Sequence, residues 1–200
     1  MKPTYLKHFV KYTAAFAAYA LSAGLALSQQ QGTTPDPKQN SSNRVFQVPS
    51  SDVRFLSGDS WKQGTQKFRL FGVQSCIRGT YYTDNGGQKQ DCGTVSLSVF
   101  AAIVRDTKPA CSPVAQVKSD RLGEPATILV VCSARIGKEA PDLGTILIRQ
   151  GFAFAAFSND AKPVYIPYAV AEAAAKQEKI GLWAFSDMPH PNSVLFRETK

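Results

Sequence analysis

The chain is 200 residues long and carries 23 Lys and Arg against 15 Asp and Glu, a formal net charge of +8. That length holds one domain with a real core and is short for two, and the basic excess biases the chain toward anionic partners (nucleic acid, anionic polysaccharide or a membrane surface) without selecting one. There is no G-x-S-x-G elbow, no Gly-rich phosphate loop and no metal-ligand cluster, and His190, the only histidine beyond the first 28 residues, sits between Pro189 and Pro191, so a Ser-His or Cys-His arrangement is not expected.

Lys2, Lys7 and Lys11 precede an uncharged, Ala- and Leu-rich run from Tyr12 to Ser28, and Ala26-Leu27-Ser28 has the small-x-small form of a cleavage site. Residues 1–28 are therefore expected to be a signal peptide, with the mature protein periplasmic or secreted. The run is shorter than the roughly 20 apolar residues that span a bilayer, so no stable membrane insertion is expected after cleavage. Removal of the three lysines leaves twenty basic against fifteen acidic residues, a mature charge of +5. Four cysteines, Cys76, Cys92, Cys111 and Cys132, all lie in the mature part in none of the metal-binding spacings, which fits disulfides in an oxidising compartment; by themselves they allow three pairings.

Residues 29–44 are Gln, Ser, Asn, Thr and Pro without apolar periodicity and read as a flexible linker ahead of a domain over 45–200. From Val45 to Val73 short apolar segments alternate with turn residues, as in a meander of antiparallel strands. Within it the period of two puts Arg69 on the face opposite Phe68 and Leu70. Residues 76–92 have loop composition. A helix is expected over 94–104, then two strands within 111–132 joined by a turn at Ser119-Asp120-Arg121-Leu122-Gly123. Asp142 is a good N-cap for a helix ending at Gly151, and a further helix is expected over 167–179. Strands, helix, strands, helix, helix is an α+β order that suits a small barrel with helices at one side.

Five pieces in one order resemble the secreted staphylococcal-nuclease-like (thermonuclease) family, over roughly 53–197. They are Gly58-Asp59-Ser60; Phe68-Arg69-Leu70-Phe71-Gly72-Val73; Asp120-Arg121-Leu122-Gly123; Asp142-Leu143 through Gly151-Phe152-Ala153; and Gly181-Leu182-Trp183. The resemblance implies a five-stranded OB-type β-barrel with three α-helices, and the disulfide-containing bacterial branch implies the sequential pairing Cys76–Cys92 and Cys111–Cys132. It also implies a phosphodiester chemistry that needs one Ca²⁺ on carboxylates, a Glu acting on water, and two arginines facing the phosphate.

Only part of that set is present. Asp59 matches the first metal ligand and Arg69 the first arginine. Gln74 stands where the second metal carboxylate is expected, the Glu has no counterpart around Cys76, and Glu124 reverses the charge of the second arginine. Leu122, Phe157 and Asn159 occupy the positions of the nucleotide-contacting tyrosines. Losing one charge-stabilising group commonly costs about a hundredfold to a thousandfold in rate, so Asp59 and Arg69 are expected to be vestigial and the domain catalytically impaired unless Asp84 or Asp91 compensates. Asp59 also suits an ordinary Asx turn, and Arg69 a surface ion pair with Glu124. The expected function is binding of an anionic polymer, nucleic acid among them, or of an unknown protein partner, with no cofactor. The alternatives are an active secreted Ca²⁺-dependent endonuclease and an accessory protein of exopolysaccharide (succinoglycan) production, with which relatives of this branch are associated.

Overall fold

A computed structural model describes residues 45–49, 51–119 and 122–196. The expected leader and linker lie outside the described residues, as do Asp120 and Arg121.

The first half of the domain forms short strands because apolar residues recur at every second position between turns. β1 (Phe46–Gln47), β2 (Val53–Ser57), β3 (Ser60–Gln63) and β4 (Gln66–Leu70) come in quick succession. The β3–β4 turn is only two residues long, and Gly64 takes its first position at φ 56°, a conformation that side chains with a Cβ resist. Phe55, Trp61 and Phe68 stand in register across β2, β3 and β4, so all three point to one face.

The chain then leaves through β5 (Val73–Ser75), the hairpin β6 (Tyr81–Thr83) and β7 (Lys89–Asp91), and α1 (Cys92–Thr107). It returns as β8 (Ala110–Val117) and β9 (Thr127–Ser133). β9 pairs parallel with β4 and antiparallel with β8, giving a curled sheet in the order β1-β8-β9-β4-β3-β2. The second half adds α2 (Leu143–Arg149), β10 (Ala153–Ala155) against β5, α3 (Ile166–Gln177), a 3-10 turn over Gly181–Ala184 and α4 (Pro191–Leu195). This is the α+β, OB-type arrangement expected, with a short extra strand on one edge and four α-helices rather than three. Among the described residues no helix is long and apolar enough to cross a membrane.

Two apolar clusters hold the domain. The larger lies between the sheet and α1, α2 and α3, where Trp61 stacks on Phe68 at 5.5 Å and meets Phe100 of α1 at 6.0 Å. The smaller comprises Cys76, Tyr82, Cys92, Phe154 and Leu182. Residues 76–92, expected to be loop, contain the β6–β7 hairpin. Asp84 closes its turn by accepting from Gly86, Gln88 and Gln90. The helix expected over 94–104 begins earlier because Asp91 caps it, accepting from Thr94 at 2.7 Å and also from Gly79 at 2.7 Å. Partial burial raises the Asp91 pKa, but these amide donors outweigh it and the net shift is downward. The stabilisation from that cap is therefore present above the ordinary carboxylate range and is lost as pH falls through the lowered value.

Both disulfides follow the sequential pairing, Cys76–Cys92 and Cys111–Cys132. The first closes a sequence separation of 16 residues, and a loop of that size is worth about 3 kcal/mol through the unfolded chain. Cys76→Ser combined with Cys92→Ser is expected to lower unfolding free energy in urea by about 2–4 kcal/mol. An unchanged midpoint would show that this link does not constrain the unfolded chain.

Candidate functional site

The site is built on the outer face of β4 and on the turn that precedes β3. Phe68 and Leu70 turn into the core, so Arg69 between them faces away from it, as the alternation predicts. Asp59 occupies the β2–β3 turn, and its carbonyl accepts from Leu70 N at 2.9 Å. The turn passes so close to α1 that a Cβ on Gly58 would sit 2.7 Å from Ser96 Cβ. Glycine before Asp59 is thus a packing requirement as much as a turn signal. Ser96 is fully buried and donates to Phe152 O while accepting from Cys76 N at 3.3 Å, which ties α1 to β5 and to the start of β10.

Asp59 is 2% exposed, and both its oxygens are taken. Ser57 Oγ donates to Oδ1 at 2.5 Å and Arg69 Nε donates to Oδ2 at 2.9 Å. The far side of the same guanidinium, Nη2, donates to Gln74 Oε1 at 2.7 Å, and Gln74 Nε2 donates to Ser75 O at 3.0 Å. One buried negative charge is thus met by one positive charge, and the surplus donor of the arginine ends on a neutral carboxamide.

This donor set does not fit the Ca²⁺ ion that the resemblance implies. A hard divalent cation takes six to eight oxygens, several of them anionic, whereas here one carboxylate is already saturated and the neighbouring oxygen of Gln74 accepts from a cation. Among the described residues no three of His, Cys, Asp and Glu converge closely enough to hold a metal. Asp84 and Asp91 serve the hairpin and the helix cap described above.

The remaining residues singled out in the sequence divide into two groups. Gln74, Phe157 and Asn159 are brought together, lining a pocket of about 460 Å³ with Asn192, Leu195 and Phe196 from α4 and its end. Leu122 and Glu124 lie on the exposed loop between β8 and β9, where Ser119 Oγ meets Glu124 Oε2 at 3.4 Å. The Arg69 guanidinium meets Asp59 and Gln74 instead of Glu124.

Two contributors were not legible in the sequence. Ser57 reads as a turn residue, and only its approach to Asp59 reveals its part. His190 reads as isolated between prolines, yet its Nε2 pairs with Glu172 Oε1 of α3 at 2.9 Å and its Nδ1 accepts from Asn192 N at 3.2 Å. Glu172 Oε2 accepts from Ala155 N at 2.5 Å, so one acid ties α3, β10 and α4 together. Tyr168 donates to Asp142 Oδ1 at 2.9 Å; burial first, and that carboxylate second, push its phenol pKa upward.

Sheet, flanking helices and the Asp59–Arg69–Gln74 chain together define an OB-type α+β domain of nuclease-like build. Residues 88–185 match the family described as staphylococcal nuclease homologue. The matched span runs from β7 to the 3-10 turn; Asp59, Arg69 and Gln74 precede it. No curated protein matches the chain.

Asp59→Ala removes the carboxylate that accepts from Arg69 Nε and Ser57 Oγ, and Arg69→Ala strands a buried carboxylate. Each is expected to cost about 1–3 kcal/mol in denaturant unfolding, less than a fully enclosed pair because the Arg69 side chain is 39% exposed. The double variant should cost less than the sum of the two, and strict additivity would show that the pair contributes nothing as a pair.

Proposed function

We propose that this protein is an exported staphylococcal-nuclease-like domain that binds an anionic polymer without cleaving it by the family's Ca²⁺-dependent route. The supporting observation is the closed chain Ser57–Asp59–Arg69–Gln74, in which the single retained carboxylate is consumed by internal hydrogen bonds and the retained arginine is neutralised before any phosphate arrives. Catalysis of phosphodiester hydrolysis calls for fixed positive charge aimed at the developing negative charge, and for an activated water. Here Arg69 is committed to Asp59 and Gln74. The net positive charge and the OB-type sheet, a scaffold that suits extended polymers, favour retention of binding. Export rests on the leader, and the two disulfides are compatible with it.

The oxidised protein incubated with single-stranded DNA and RNA in millimolar Ca²⁺ is expected to leave both intact, and Ca²⁺ is expected not to raise its melting temperature. Cleavage that disappears on Asp59→Ala or Arg69→Ala would establish an active nuclease with a rearranged site and overturn the proposal.

A further inference from the structure

The outer face of the sheet carries a charge pattern that neither the core nor the Asp59–Arg69 chain requires. Arg54 of β2 is paired in register with Lys62 of β3, and Lys62 with Lys67 of β4. Side chains opposite one another across neighbouring strands share a face with Cβ atoms about 4.5–5.5 Å apart, so three cations stand side by side in one row. Their strand neighbours Phe55, Trp61 and Phe68 turn to the core, which places the row on the solvent side.

Like charges directly opposite across a sheet are destabilising, and nothing here relieves them. Among the described residues none of Arg54, Lys62 and Lys67 has an ion-pair partner; the pairs formed elsewhere are those of Arg69, Arg105, Lys162 and His190. Arg54 and Lys62 also line an open hollow of about 970 Å³ with Gly64, Thr65 and Pro125, where Asp52 is the one acid among the lining residues. The row continues along β4 toward Arg69, two residues beyond Lys67 on the same face.

We infer that the Arg54–Lys62–Lys67 row is the binding site for the anionic polymer, and that the polymer is an acidic polysaccharide; the inference rests on the polymer-binding reading above and gives it a place and a chemical class. Carboxylates spaced along a flexible glycan supply the missing counter-charges at successive strands. Single-stranded nucleic acid draws much of its affinity on such sheets from bases stacked on exposed aromatic rings. No aromatic side chain lines the hollow, and Trp61 and Phe68, the strand neighbours of Lys62 and Lys67, are buried on the other side of the sheet.

The test is titration of the oxidised protein at low and moderate salt with polygalacturonate, with neutral dextran and with poly(dT), on wild type and on a row variant (Arg54→Gln, Lys62→Gln, Lys67→Gln). Salt-sensitive polygalacturonate binding is expected, absent for dextran and weakened about tenfold or more in the row variant, since three exposed ion pairs contribute about 0.2–1 kcal/mol each. The row variant should melt at a higher temperature than wild type because the repulsion is removed, which separates lost binding from lost folding. Binding that survives in the row variant would overturn the placement and leave the polymer-binding reading intact. Tighter binding of poly(dT) than of polygalacturonate would overturn the polysaccharide assignment. Failure to bind either polyanion would overturn both.

Discussion

The parallel pairing of β4 with β9 is the constraint on which the rest of the domain depends. Phe68 lies opposite Ile128 and Leu70 opposite Val130, so the junction joins the N-terminal meander to everything that follows α1. Because β4 is flanked on both sides, its backbone is fixed, and side chains at alternate positions are committed to opposite faces. Phe68 and Leu70 complete the core; Lys67 and Arg69 are thereby held on the surface that a ligand would meet. Core and site are two sides of one five-residue strand.

The electrostatics of that outer surface divide into two regimes. Around Asp59 the arrangement is closed: a carboxylate at 2% exposure survives burial only because a hydroxyl and a guanidinium supply the hydrogen bonds that water would have given. Farther along the same three strands the arrangement is open, with Arg54, Lys62 and Lys67 aligned and no acid between them in the register. Binding of an ion at Asp59 would need the reverse, with carboxylate oxygens left free. The Gln74 carboxamide gives Arg69 a second, neutral acceptor, so the guanidinium is clasped between Asp59 and Gln74.

Much of this fold was legible because its signals are local. Alternation around Phe68-Arg69-Leu70 gave the strand and the outward arginine, and Asp142 gave the start of α2 through a cap that reaches only to Thr145. The hairpin inside residues 76–92 was not legible, because its strands are three residues each and polar, and it is held from outside by the disulfide and by Asp187, whose carboxylate accepts from Thr83 N at 3.0 Å from 104 residues away. α4 escaped for the same reason: five residues after a proline pair carry no period, and the His190–Glu172 contact that anchors them is long-range. At the site the residue types were readable but their engagement was not. Asp59, Arg69 and Gln74 could be named from their order, whereas the expected approach of Arg69 to Glu124 gave way to Gln74, a choice made by strand geometry and invisible in spacing.

The two disulfides also alter the route by which the sheet can assemble. Leu70 and Val130 must meet across the whole crossover, and contacts so distant along a chain are what make β-rich domains slow to fold. Each sulfur bridge lies within or just beyond that crossover and short-circuits it, by 16 residues at Cys76–Cys92 and by 21 at Cys111–Cys132. The entropic cost of closure grows only logarithmically with loop length, but every bridge formed early leaves a shorter search for the next contact. A chain whose thiols pair before β4 finds β9 therefore closes a shorter loop than one that reaches the same topology reduced.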